Sequence, residues 1–231
     1  MRRLAAPTFL LLAAVTACGL PRDAEGTMDR VRGGTIRVGM VVDTPWVTDS
    51  AGGAGGVEAA LVGEIARGLN ARPEWVRAPE SKLLEALKTR QLDLVIGGFS
   101  AKTPWSKEVA ITKPYYTDSL VVATSGGAAV PASLKHQRVY VTRGDPAGGY
   151  VQKQGATPVY VGDLEHAGPG LVAAPAWRLA ALHRTPAGVQ LHTEAHVLAA
   201  APGENAWLLH VDTVLLARRG RVPGLLRGAR P

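Results

Sequence analysis

"LDLVIGGFSAKTPWSKEVAITKPYY", residues 92–116, opens on the apolar run Leu94-Val95-Ile96 and breaks at Gly97-Gly98. A short apolar run bounded by glycine reads as a buried strand whose carboxyl end turns sharply. Immediately before it, "SKLLEALKTRQ" (81–91) reads as a helix, with Ser81 as its N-cap and Glu85 near its first turn. A short strand is expected from Pro73 to Arg77. Val57, Leu61, Ile65 and Leu69 recur at helical spacing before a stop at Asn70. Further out, "GTIRVGMVVDTPWV" (34–47) alternates Ile36, Val38 and Met40 with Arg37 and Gly39, then runs into a turn at Asp43-Thr44-Pro45. The order β-α-β-α-β implies parallel strands joined by crossover helices. Ligands of such sheets sit at the carboxyl ends of the strands.

The N-terminus assigns a compartment. Arg2 and Arg3 precede an apolar run from Leu10 to Ala17, too short to span a bilayer, which reads as an export signal over residues 1–17. The run ends at Val15-Thr16-Ala17-Cys18, a sequence similar to a bacterial lipobox, so Cys18 is expected to become the lipidated first residue of a membrane-anchored protein in the periplasm or at the cell surface. It is the only cysteine of the chain, which excludes an internal disulfide and a thiolate metal cluster. Residues 18–33 are polar, contain Gly and Pro and show no periodicity, as expected of a tether. Without Arg2 and Arg3 the chain has 24 basic against 19 acidic residues. That surplus is scattered, with no basic block or interleaved aromatics, which argues against a nucleic-acid surface and suits anionic lipid or an anionic ligand.

Four blocks in order, "MDRVRGGTIRVGMVVDTPW", "GGVEAALVGEIARGLN", "LLEALKTRQLDLVIGGFS" and "TPWSKEVAITKPYY", resemble the family 3 extracellular solute-binding proteins, the amino-acid-type receptors of ABC importers. The resemblance covers about residues 28 to 125. Beyond it, 133–156 resembles the first strand, turn and helix of the family's second lobe, and 203–228 its C-terminal helical tail. The resemblance implies an α/β, two-lobed periplasmic binding protein type 2 fold, with mostly parallel sheets flanked by helices and a ligand cleft between the lobes. Lobe 1 would span 34–121, lobe 2 122–196, and 197–231 would return to lobe 1. Hinges would lie at Val121 to Gly127 and Val197 to Pro202. The implied partners are a small polar molecule, an ABC permease and, through the lipid, the membrane; the implied state is a monomer with no cofactor.

The resemblance also nominates residues. Gly98 and Ser100 match the segment that supplies a carbonyl and a hydroxyl to a ligand ammonium. The carboxylate-pairing Arg that follows in the family is replaced by Ser106 and Lys107, and the nearby Lys102 lacks the planar fork a carboxylate matches. In lobe 2, Ala174 falls where the family has an ammonium-binding Asp. The loop "TRGDPAGG" corresponds to backbone donors for the carboxylate, but Asp145 followed by Pro146 is suited to cap that helix itself, with Arg143 beside it. Trp46 stands where a family aromatic packs on the ligand, Asp43 beside it, and Glu80 near a second aromatic position. Glu58 matches a family acidic position that orients the loop; Trp105 faces either the cleft or the core; Tyr115 and Tyr116 stabilise the crossover.

His192 and His196 in "HTEAH" are four apart, but the flanks read as a strand returning to lobe 1. There the two lie about 13 Å apart and cannot share an ion. No Gly-x-Ser-x-Gly elbow, phosphate loop or dinucleotide fingerprint occurs. The expected function is capture of a small polar solute without standard amino-acid selectivity. The alternatives are a dehydratase-like periplasmic enzyme, for which Asp43, Glu58 and Glu80 are available acids, and a degenerate lobe acting as an interaction module.

Overall fold

The computed structural model describes residues 21–50, 53–125 and 131–229; the export signal and Cys18 lie outside them. In chain order the elements are α1 (Thr27–Val31), β1 (Thr35–Met40), β2 (Thr48–Ser50), β3 (Gly53–Gly55), α2 (Gly56–Gly68), β4 (Arg72–Arg77), α3 (Glu80–Lys88), β5 (Leu94–Ile96), β6 (Ala110–Ile111), β7 (Tyr116–Ser125), β8 (Arg138–Thr142), α4 (Ala147–Lys153), β9 (Thr157–Val161), β10 (Leu171–Pro175), β11 (Arg184–His196), β12 (Ala199–Ala200), α5 (Asn205–Arg218) and α6 (Val222–Gly228). Two five-stranded sheets result, ordered β4-β1-β5-β12-β6 and β11-β7-β10-β8-β9. The pairs β1/β4, β1/β5, β8/β9 and β8/β10 are parallel. In each sheet one strand, β12 or β7, runs against its neighbours, so the sheets are mixed.

The periodicity read from the sequence is what the sheets bury. Val57, Leu61, Ile65 and Leu69 of the α2 region all join one face of the first sheet, together with Trp207, Val211 and Leu215 of α5. Leu83, Leu84 and Leu87 of α3 cover the opposite face with Val95 and Phe99. In the second sheet, Leu171 and Ala173 pack with α4 on one side, while Val172 and Ala174 face Leu164, Leu179 and Leu182 on the other. That alternation is the period-two signature of a strand buried on both faces. Burying each large aliphatic side chain contributes about 1.5–3 kcal/mol.

Local expectations differ in three places. Helix α3 begins at Glu80 with Pro79 at its N-cap position, so Ser81 falls inside the first turn. The φ of −56° fixed by Pro79 suits that boundary, and the Pro79 carbonyl accepts from Lys82 N and Leu83 N at 2.9 and 3.1 Å. The chain enters the second sheet at Tyr116, earlier than 122, because β7 pairs with β11 from Tyr116↔His196 to Ser125↔Arg184. It returns to the first sheet through Val197 and Leu198 into β12.

The third difference concerns the tether. From Asp23 onward the segment is docked on lobe 1: Asp23 accepts from Met28 N at 2.6 Å and Trp207 N at 2.9 Å. The Glu204 side chain, fully shielded, accepts from Glu25 N at 2.9 Å and Thr27 N at 3.1 Å and pairs with Arg90 at 3.4 Å. Thr27 and Val31 of α1 are buried. Arg30 and Arg37 then converge on the buried Asp93, whose backbone carbonyl accepts from the Trp207 indole at 3.0 Å. Glu204→Ala leaves two backbone donors of the docked segment unpaired, at about 1–3 kcal/mol each. We expect limited proteolysis to cut this variant within residues 23–33 and spare the wild type; equal resistance would show that the carboxylate does not hold the segment.

Candidate functional site

The carboxyl ends of β1 and β5 meet at one buried carboxylate. Glu58, on the first turn of α2, is fully buried; its carboxylate accepts from Gly97 N at 2.7 Å, Gly98 N at 3.2 Å and the Tyr115 hydroxyl at 2.6 Å. Glu58 therefore fixes the glycine turn and the crossover together. Trp46 sits beside it in a tight turn, where Asp43 and Val47 exchange backbone hydrogen bonds at 2.9 Å. The carbonyls of Pro45 and Trp46 accept from Val57 N and Glu58 N at 3.2 and 2.9 Å, which attaches the turn to the start of α2. Gly56 has a φ of +86°, and a Cβ there would lie 2.6 Å from the Trp46 carbonyl, so only glycine fits. Gly98, at φ +66°, is backed by the Asp43 carboxylate and the Trp46 ring.

Trp46 is 6% exposed. Its indole lies 3.8 Å, centroid to centroid, from the His196 ring, with Tyr115 and Tyr116 at 6.3 and 5.9 Å. One edge lines a cavity of about 210 Å³ between the lobes. Across from it are Asp118 on β7, Asp145 after β8, and Trp177 and Arg178 just beyond β10. The volume is below the roughly 300–1,000 Å³ of sites for drug-sized ligands and suits a small solute. Asp118 accepts from Ser119 N at 2.7 Å and the Trp177 indole at 3.3 Å, and burial pushes its carboxyl above the usual range.

The nominated residues thus take different positions. Asp43, Trp46 and Gly98 converge. The Ser100 hydroxyl donates to Glu194, whose other oxygen is 3.1 Å from His192 Nε2; the His192 ring stacks on Tyr150 of α4 at 4.3 Å. Glu80 is exposed and accepts from the Trp105 indole at 3.2 Å. Lys102 and Arg143 are exposed on loops at the strand ends of their respective lobes, and neither forms an ion pair among the described residues. Asp145 accepts from Ala147 N at 2.7 Å, but α4 begins at Ala147 with Pro146 at its N-cap position, so Asp145 stands one residue before the expected cap. Asp118, Trp177 and Arg178 were not nominated. Their signals were a carboxylate just before the apolar run 120–123 of β7 and "PAWR" directly after a buried strand, one step beyond the Ala174 position. Among the described residues no three His, Cys, Asp or Glu side chains gather to hold a metal ion.

The model of the bacterial extracellular solute-binding proteins, family 3, matches residues 36–218. The chain belongs to this family. Solved structures with the same fold include an ancestral cationic amino acid solute-binding protein, at 21% identity and TM-score 0.71, covering 88% of this chain and 99% of that one. The unliganded, open L-cystine receptor of Neisseria gonorrhoeae gives 14% identity and TM-score 0.68, over 84% and 91% of the two chains. The open substrate-binding domain 2 of Lactococcus lactis GlnP gives 16% and 0.65, over 84% and 94%. No curated protein matches the chain. This family 3 protein is accordingly a bacterial extracellular solute-binding protein, with two mixed sheets flanked by helices.

Two buried groups at the site titrate in opposite senses. Burial, with a smaller push from Asp43, raises Glu58 from 4.5 to about 7 against its three donors, and burial lowers His196 from 6.5 to about 4. Glu58 contributes stability below pH 4.5 that is lost as pH rises to about 7; His196 contributes stability above pH 6.5 that is lost as pH falls to about 4. Each amounts to about 3 kcal/mol, so the two offset one another over the shared window. Relative to wild type, Glu58→Gln should lose stability as urea unfolding is moved from pH 6.5 to 4.5, and His196→Gln as it is moved from 4.5 to 6.5. Parallel profiles for all three proteins would refute this assignment.

Proposed function

We propose that this family 3 protein is a monomeric lipoprotein of the periplasm or cell surface that captures a small polar solute between its lobes and delivers it to an ABC permease. The observation that carries the reading is the 210 Å³ cavity lined from both lobes, by Thr44, Pro45 and Trp46 on one side and Asp145, Pro175, Trp177 and Arg178 on the other. A solute held there bridges the two sheets and favours their approach, which is the differential affinity that closure requires. Trp46 is the central contact, with Asp43 and Gly98 behind it, Ser100 further along the same turn, Glu80 at the start of α3, and Lys102 and Arg143 on loops at the strand ends. The lipid on Cys18 supplies the anchor; no helix among the described residues is long and apolar enough to cross a membrane.

Standard amino-acid selectivity is not expected. Ser106 and Lys107, at the place of the family's carboxylate-binding Arg, are exposed on a short 3₁₀ helix (Pro104–Lys107), and Ala174 is fully buried in the core of lobe 2. Hydrogen bonds to charged groups contribute about 1.5–3 kcal/mol each, so losing several weakens a zwitterion by orders of magnitude. An enzymatic role is not favoured: the acid poised near neutrality, Glu58, is fully enclosed.

A thermal-shift screen of the mature protein against amino acids, amines, organic acids and small peptides tests the reading. Saturation at 100 times the dissociation constant adds about 2.7 kcal/mol. Trp46→Ala should abolish the response to the true ligand; micromolar binding of a standard amino acid that survives Trp46→Ala would refute the proposed site. Cys18→Ser should release the protein from membranes or block its processing, read by fractionation, and a wild type found wholly soluble would remove the anchor from the proposal.

A further inference from the structure

Four donor groups at the strand ends facing this cleft are already taken by the chain's own carboxylates. Glu58 occupies Gly97 N–H and Gly98 N–H, Asp145 occupies Ala147 N–H, and Glu194 occupies the Ser100 hydroxyl. What the cavity offers instead is acceptors. Asp118 and Asp145 line it, and their hydrogen bonds come only from neutral donors: Ser119 N–H, the Trp177 indole and Ala147 N–H. Neither forms an ion pair among the described residues. Asp43 stands behind the Trp46 edge, against Gly98. Partly buried carboxylates without a cationic partner are costly, and a cation entering between them relieves that cost.

The aromatic lining is consistent with the same occupant. Trp46 and Trp177 both border the cavity, and indoles attract a cation more strongly than other aromatic rings do. Among the described residues of the wall the one cation, Arg178, pairs with neither acid. It stands where this cavity adjoins a second of about 270 Å³, bordered also by Glu165 and Arg227. The local charge is therefore opposite to that of the whole chain, whose basic surplus had suited an anion.

We propose that the cleft selects a small organic cation lacking a carboxylate, an amine or guanidinium compound whose cationic head sits on Asp118 and Asp145 with its methylenes against Trp46 and Trp177. This rests on the solute-receptor reading and names its substrate class. A zwitterion brings in a carboxylate, and among the described residues lining the cavity Arg178 is the cationic side chain that would have to hold it.

Calorimetry on the mature protein with matched probes tests the class: agmatine against arginine, cadaverine against lysine, and putrescine against ornithine, each pair differing by one carboxylate. At least one amine is expected to bind at least tenfold more tightly than its parent. Asp118→Asn and Asp145→Asn should each weaken it at least tenfold, and Arg178→Gln, which removes a like charge from the wall, should tighten it. Asparagine still accepts the indole and backbone hydrogen bonds, and Trp177→Phe provides a second, uncharged variant that should also weaken the amine. Tighter binding of a parent amino acid, lost in Arg178→Gln, would overturn the substrate class and leave the receptor reading standing. So would silence of all six probes while another solute stabilises the protein. If no solute of any kind binds, the receptor reading itself fails.

Discussion

Glu58 is one carboxylate with three donors, and much of the first lobe's cleft edge depends on it. It joins the start of α2, the glycine turn after β5 and the tyrosine that begins the crossover. Each donor is a backbone or phenolic group that would otherwise be buried without a partner. The same helix start anchors the Trp46 turn through two backbone hydrogen bonds, so the aromatic edge of the cavity and the glycine turn are held by adjacent residues of one helix. The exclusion of side chains at Gly56 and Gly98 follows from this close approach.

The second lobe is built more sparingly. Its sheet has one α-helix, α4, on one face; the other is covered by Leu164, Ala167, Leu179 and Leu182 from the irregular chain flanking β10. Such coverage still shields the strands, and it places Trp177 and Arg178 at the cleft immediately beyond β10. The long antiparallel pair β7/β11 carries the connection to the first lobe, and Ser100, Glu194, His192 and Tyr150 form a continuous line of contacts from the glycine turn, along that pair, to α4. Movement of one lobe against the other must stretch or carry this line.

Much of this was legible in the sequence where the pattern is local. The strands around Ile36–Met40 and Leu94–Ile96, and the α2 face at Val57, Leu61, Ile65 and Leu69, follow from period and glycine placement. Distant partnerships were not legible. Nothing within residues 18–33 shows that Glu204, some 180 positions on, accepts their backbone hydrogens, so a segment with no apolar period read as a tether. The engagement of Ser100 by Glu194 and of Glu80 by Trp105 is likewise a product of tertiary proximity. Asp118, Trp177 and Arg178 match no family position: the matched position is Ala174, inside the strand, while the cavity lies beyond its end.

The docking of the N-terminal segment also sets a length. With the chain held from Asp23 onward, only four residues separate it from Cys18. At about 3.6 Å per fully extended residue, a lipid on that cysteine would be a leash of no more than about 18 Å. That is too short for the receptor to sweep an open volume above the bilayer. Its first lobe would ride at nearly constant height, with the second lobe left as the part free to swing, and its encounters with a permease would be collisions within a surface rather than searches through solution.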